Sequence, residues 1–198
     1  MERWARVDPG NGVPWLYALA RAQSAGDADG VRRAMAMLAS STRYDMYFNA
    51  MAGAVARQVP KDDWELAAAG DLVVKALGQA AAVPFPSFQP LFQLCRAHAG
   101  GDALREQQCR TVSDAMFAHS DTLLMLSISG ALMFQTSGDP ARRDLVRAER
   151  AVLAAHWSPA TGFSPCQDLR DLVKMQLRSA QVGEVEALRE QARKFVTP

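Results

Sequence analysis

At 198 residues the chain can bury the core of one domain, or of two small ones sharing an interface, and its 49% hydrophobic and 22% charged residues are ordinary globular composition. A formal net charge of +1 excludes any global attraction for nucleic acid, an anionic membrane or a strongly acidic substrate. The most apolar stretch, Leu123 to Phe134, is about half the roughly 20 residues that a membrane helix needs, so it reads as a buried helix and no membrane insertion is expected.

In chain order, Met1-Glu2-Arg3 runs into Trp4 and Ala5 without a charged-then-apolar export segment. The start reads as the end of a helix entered partway, closing at Asp8-Pro9-Gly10-Asn11-Gly12. Upstream sequence, with an export signal in it, is one expectation; a cytoplasmic protein that opens on a short helix is the other. From here on the apolar residues recur at three and four, the helical spacing. Trp15, Leu16, Leu19 and Ala22 form one stripe, and Val31, Met35 and Leu38 the next. Further stripes are Leu72, Val73, Ala76 and Leu77; Val112, Ala115, Met116 and His119; and Leu145, Ala148, Val152 and Leu153. The last two are Leu169, Leu172, Val173, Gln176 and Leu177, then Val185, Leu188, Ala192 and Phe195.

The punctuation agrees with these stripes. Asp139-Pro140, Ser164-Pro165 and Gln89-Pro90 suit helix starts, because proline in the first turn forfeits no hydrogen bond. Gly26-Asp27, Gly100-Gly101-Asp102, Gly138-Asp139 and Gly183 suit helix ends. About nine helices joined by short loops follow from this, and short loops place sequential helices antiparallel and adjacent. The stretch Val83-Pro84-Phe85-Pro86-Ser87-Phe88-Gln89-Pro90 cannot be helical before Pro90. It reads as a connector whose rings plug a seam, or as an exposed docking strip. It divides the chain into an N-terminal half, 1–82, and a C-terminal half, 83–198, packed as one unit.

Residues 8–39 carry an Asp-Pro-x-Asn opening, Trp15 four residues after Asn11, then Leu19-Ala20, and Gly26-Asp27 at a turn eleven residues after Trp15. Val31, Met35 and Leu38 supply the apolar contacts of the second helix. This stretch resembles a tetratricopeptide repeat unit, a helical hairpin that stacks on its neighbours. The resemblance implies that Trp15 packs between the two helices and that Gly26 adopts the left-handed turn joining them. Leu19 stands where that family prefers a small residue, and Val31 where it has alanine. The next register, near Met46, offers Ala52-Gly53 at the small positions but Asn49 in place of tryptophan and Pro60 in place of the turn glycine. The fold expected is therefore all-α, antiparallel helical hairpins stacked as a degenerate tetratricopeptide-like (TPR-like) α-solenoid or as an irregular α-bundle.

Cys95 lies about five residues before the Gly100-Gly101 turn and Cys109 about seven after Asp102, similar heights in an antiparallel hairpin. They read as a disulfide, which implies an oxidising compartment such as the periplasm, or else as two buried thiols. Cys166, after Ser164-Pro165 at a helix start, reads as a plain helix-start residue or as a thiol made reactive by the helix dipole. Cys95, His98 and Cys109 supply three metal ligands without a source for the fourth, so no metal or cofactor is expected. A Cys166 nucleophile served by His156 or His119 needs an orienting group and an oxyanion hole. There is no phosphate loop and no Gly-x-Ser-x-Gly elbow; Ser127-Ile128-Ser129-Gly130 falls inside a helix, where small residues allow close packing.

Arg142, Arg143, Arg147 and Arg150, interleaved with Asp144 and Glu149, form a mixed solvated face. Glu184, Glu186, Arg189, Glu190, Arg193 and Lys194 favour acid-before-base pairs and suit a solubilising cap on a stack. The function expected is a non-catalytic scaffold that binds a protein or peptide in a groove, with Tyr17, Arg43, Tyr44, Tyr47 and Phe48 as the groove residues. The alternative is a small α-helical enzyme using a reactive cysteine or a Cys/His metal site.

Overall fold

Helix ends are set by the side chains and glycines that the sequence places there. The computed structural model describes residues 2–58, 75, 78, 85–96, 102–136, 139–157 and 165–196, with the backbone alone at 2, 150, 152–157, 165–170, 172 and 194–196. Ten α-helices run through the described residues, none of which forms a strand, so the fold is all-α. They are α1 (Glu2–Val7), α2 (Val13–Ser24), α3 (Ala28–Ser40), α4 (Phe48–Ala56), α5 (Gln89–Leu94), α6 (Ala103–Ala118), α7 (Leu123–Thr136), α8 (Pro140–Trp157), α9 (Pro165–Val182) and α10 (Glu184–Val196). No helix among the described residues is long and apolar enough to cross a membrane. The predicted stripe at Leu72, Val73, Ala76 and Leu77 lies outside the described residues, as do Pro60, His98 and the Gly100-Gly101 turn.

The α2–α3 turn shows the local logic. Gly26 takes φ +66°, which only glycine adopts without strain, and its N–H donates to Gln23 O while Asp27 N–H donates to Ala22 O. Asp27 then serves the next helix, its carboxylate accepting from Gly30 N–H at 2.8 Å. Asp102 caps α6 in the same way through Arg105 N–H, Thr122 Oγ1 accepts from Met125 N–H at the start of α7, and Asp139 accepts from Ala141 N–H on α8. Each such cap contributes about 1 kcal/mol.

The chain divides into two units, and each draws on both sides of residue 83: 1–45 with 85–148, and 46–84 with 149–198. In the first, α2 pairs with α3 and α6 with α7, α3 lies against α6, and α5 and α1 lie against α2. Its core holds Leu16, Leu19, Met35, Leu38, Leu91, Val112, Met116, Leu126 and Leu132, nearly or fully buried. Fully burying a side chain of this size contributes about 1.5–3 kcal/mol. In the second, α4 packs on α9 and α9 on α10, with Gly53 of α4 against the Ala180 methyl and with Val185, Leu188 and Ala192 inside.

Helix α8 corrects one expected stripe. Leu145 is 53% exposed, and Val146 is the buried residue instead. The reason lies across the contact: Gly130 of α7 has no side chain, and a Cβ there would come within 2.7 Å of Val146 Cγ1. Ser129, beside it, is buried with its hydroxyl donating to Leu126 O, so the small residues of α7 do allow close packing. The mixed arginine face of α8, expected to be solvated, is only partly so, because Arg142 and Arg143 are half-buried. Arg147 pairs with Asp144 at the surface, Arg142 pairs with Asp114, and Arg143 lies 4.3 Å above the Phe134 ring. On α10 the hydrogen bond from Arg193, helped by Arg189, holds the Glu186 carboxyl below its ordinary range.

Cys95, just after α5, and Cys109, in the second turn of α6, form a disulfide with Cα atoms 5.5 Å apart. Both are buried, at 5% and 2% exposure. Closing a loop of this length removes about 3 kcal/mol of chain entropy from the unfolded state. The double change Cys95→Ser/Cys109→Ser is therefore expected to lower unfolding free energy by about 3 kcal/mol in urea titrations. Reductant at neutral pH should act slowly on the folded protein, because the sulfurs are covered; rapid reduction with no loss of stability would show the bond to be dispensable.

Candidate functional site

Two loops meet where the expected groove residues begin. The loop before α2 (8–12) and the loop after α3 (41–45) are joined by backbone hydrogen bonds from Gly12 N–H to Arg43 O at 2.9 Å and from Thr42 N–H to Gly10 O at 3.0 Å. Asn11, at 0% exposure, sits at their centre. Its amide nitrogen donates to Asp8 Oδ2 at 2.9 Å and to Asp45 O at 2.7 Å, and its oxygen accepts from Val13 N–H at 3.1 Å and Asp45 N–H at 3.2 Å. One side chain thus accepts the first N–H of α2 and ties the two loops, with all its hydrogen-bonding capacity used.

The five expected groove residues are distributed unevenly about this knot. Arg43 pairs with the buried carboxylate of Asp8. Tyr44 corrects the expectation: it is a core residue, at 0% exposure, with its hydroxyl donating to Leu38 O at 2.6 Å. A ring so enclosed has no face to offer a partner. Tyr17 is half-buried on α2, its ring tilted against Trp4 with centroids 6.3 Å apart, and burial raises its phenol pKa. Tyr47 and Phe48 belong to the second unit, where Tyr47 precedes α4 at φ +60°, the left-handed region that costs a bulky side chain about 1–3 kcal/mol.

Tyr44 has a measurable pH signature. Burial pushes its phenol far above the ordinary value of 10, a hydrogen bond with Ser41 pulling only partly back. The folded state therefore keeps a proton that the unfolded chain releases from about pH 10, so this contribution to stability is complete below pH 10 and is lost as pH rises above it. Each unit of pH should then remove up to about 1.4 kcal/mol on this residue's account. Tyr44→Phe is expected to flatten the fall of Tm between neutral and strongly alkaline pH; an unchanged slope would place the titration elsewhere.

The surface the sequence did not single out is a cleft on the α2–α3 hairpin, about 300 Å³ in volume. Its floor is small: Ala18 and Ala22 from α2, Gly30 and Ala34 from α3. Ala5 of α1 closes one side, and Trp15, half-buried, stands in the wall beside Pro14. Residues at 14, 15, 18, 21, 22 and 25 recur at three and four, so one face of α2 lines the cleft for about three turns. That places Trp15 in the wall of an open groove, whereas Leu16 and Leu19, one position on, face the core. The rim carries Arg21 and Arg33, both exposed.

No protein-family model, curated protein or solved structure matches this chain.

The catalytic alternatives rest on residues that the structure treats differently. Cys95 and Cys109 are joined to each other, which removes both thiolates from nucleophilic or metal chemistry. Among the described residues no group of His, Cys, Asp or Glu is arranged to hold a metal ion. His119 is exposed at the C-terminus of α6, where its N–H donates to Ala115 O, and does not lie on the Val112–Met116 core stripe. The side chains of Cys166 and His156, and all of His98, lie outside the described residues. A spacing of three or four identifies a helix face; only the neighbouring hairpin decides whether that face is core or cleft, so Trp15, expected to pack between the two helices, is found half-buried in the lining of the cleft.

Proposed function

We propose that this protein is a non-catalytic interaction module that receives a peptide or helical segment of a partner protein in the α2–α3 cleft. The observation that carries the reading is the cleft itself: a floor of alanines and one glycine, with a tryptophan in its wall. Small residues let a second backbone approach closely, and a half-buried tryptophan offers a rigid apolar anchor. The resemblance of residues 8–39 to a tetratricopeptide unit supports the same reading, since such hairpins stack and present grooves between helices. On this reading α2–α3 and α6–α7 are neighbouring hairpins of a degenerate solenoid, and their adjacency through α3 and α6 supports it. The Cys95–Cys109 bond supports an oxidising compartment, the periplasm or another exported setting.

The test is selection of displayed peptides of about 14 residues, roughly four helical turns, on the intact chain. Selected peptides are expected to bind saturably, and Ala18→Gln, which keeps helix propensity while filling the cleft, should weaken them at least about tenfold. Absence of saturable binding, or binding indifferent to Ala18→Gln, would overturn the proposal.

A further inference from the structure

The cleft has a charge pattern that its floor does not explain. Arg21 of α2 and Arg33 of α3 both line it and are exposed, and neither side chain meets a carboxylate or any hydrogen-bond acceptor among the described residues. Elsewhere arginines with acids nearby use them: Arg32 pairs with Asp29, Arg43 with Asp8, Arg105 with Asp102 and Arg142 with Asp114. The cleft's own acid, Asp27, has its carboxylate turned to Gly30 N–H as the cap of α3. Two guanidinium groups without ion-pair partners and one carboxylate therefore line the cleft, a net positive charge in a chain whose overall charge is close to neutral.

We infer that the partner segment is acidic: an amphipathic helix or strand with apolar side chains against Trp15 and the alanine floor and Asp or Glu side chains on its flanks, paired with Arg21 and Arg33. The inference rests on the docking reading above and adds to it the chemistry of the occupant. A cavity of this size admits two or three apolar side chains rather than a whole helix, so the segment lies across the cleft and inserts its anchors. The two guanidiniums present paired donors that match carboxylate geometry and steer an acidic segment to the floor before the apolar contacts form.

The experiment extends the display selection. Enriched peptides are expected to carry Asp or Glu about one turn from Leu, Ile, Met or Phe. A synthetic peptide of that sequence should bind Arg21→Glu/Arg33→Glu about tenfold more weakly than the original chain, and its affinity should fall with added salt. The same peptide with each acid changed to Lys should prefer the double variant. Both arginines are exposed, so the variant should keep its helical circular dichroism and Tm. Binders that Ala18→Gln blocks, but that lack acids and ignore the charge reversal, would overturn this inference and leave the docking reading standing. Binders that ignore both substitutions, or no binders at all, would overturn the two together.

Discussion

Asn11→Ala is expected to cost about 4 kcal/mol. The side chain is fully buried and makes four hydrogen bonds, so its removal breaks the bonds to Val13 N–H, to both backbone groups of half-buried Asp45 and to one oxygen of Asp8. Stranded buried groups cost about 1–3 kcal/mol each, and water entering the vacated space recovers part of that. For a chain of this size the expected fall in Tm is roughly 8–16 °C. Asn11→Asp separates hydrogen bonding from volume. It keeps the acceptor for Val13 and Asp45, loses both donors, and sets a second carboxylate beside buried Asp8, so it too should destabilise strongly at neutral pH. A Tm within about 2 °C of the original for either variant would show that the two loops do not depend on this residue.

Gly12→Ala is expected to be nearly as damaging, for a steric reason. Gly12 has φ −75°, a conformation open to any residue, so backbone preference is not at stake. The difficulty is Tyr44, whose ring passes over the glycine so closely that a Cβ would overlap Cε1 and lie 2.7 Å from Cδ1. The ring cannot swing away, being enclosed and held by Leu38. Overpacking of this kind costs about 3 kcal/mol. Rescue identifies the cause: Gly12→Ala combined with Tyr44→Leu should be more stable than the sum of the two single losses predicts, by about 1 kcal/mol or more in a double-mutant cycle. Strict additivity would mean that the ring and the glycine are not in contention.

Local features of the fold were legible because their causes are local. Gly26-Asp27 announces a turn and a cap within a few residues, and both are found. Pro90, Pro140 and Pro165 mark the first turns of α5, α8 and α9. The two cysteines were legible as a pair because they flank one short connection. The division into two units was not, since Gly53 and Ala180 meet across most of the chain and nothing near either residue names the other. The same limit explains the aromatic cluster. Tyr44, Tyr47 and Phe48 look like one surface in sequence, yet the room for Tyr44 is made at Gly12, far upstream, and Tyr47 and Phe48 belong to a different unit. Arg21 and Arg33 resemble many other solvated arginines until the hairpin sets both in the lining of one cleft.

The route of the chain also sets a timetable for its synthesis. Hairpin α2–α3 can close as soon as it emerges, because its partners are neighbours in sequence. Helix α4, with buried Ala52 and Gly53 on one face, emerges next, and the helix it packs against, α9, lies far downstream. At the usual pace of translation the interval is on the order of ten seconds. Throughout that interval the second stretch of the first unit, 85–148, is being delivered. The nascent chain therefore has the means to finish the unit bearing the cleft while the other still waits for its C-terminal half.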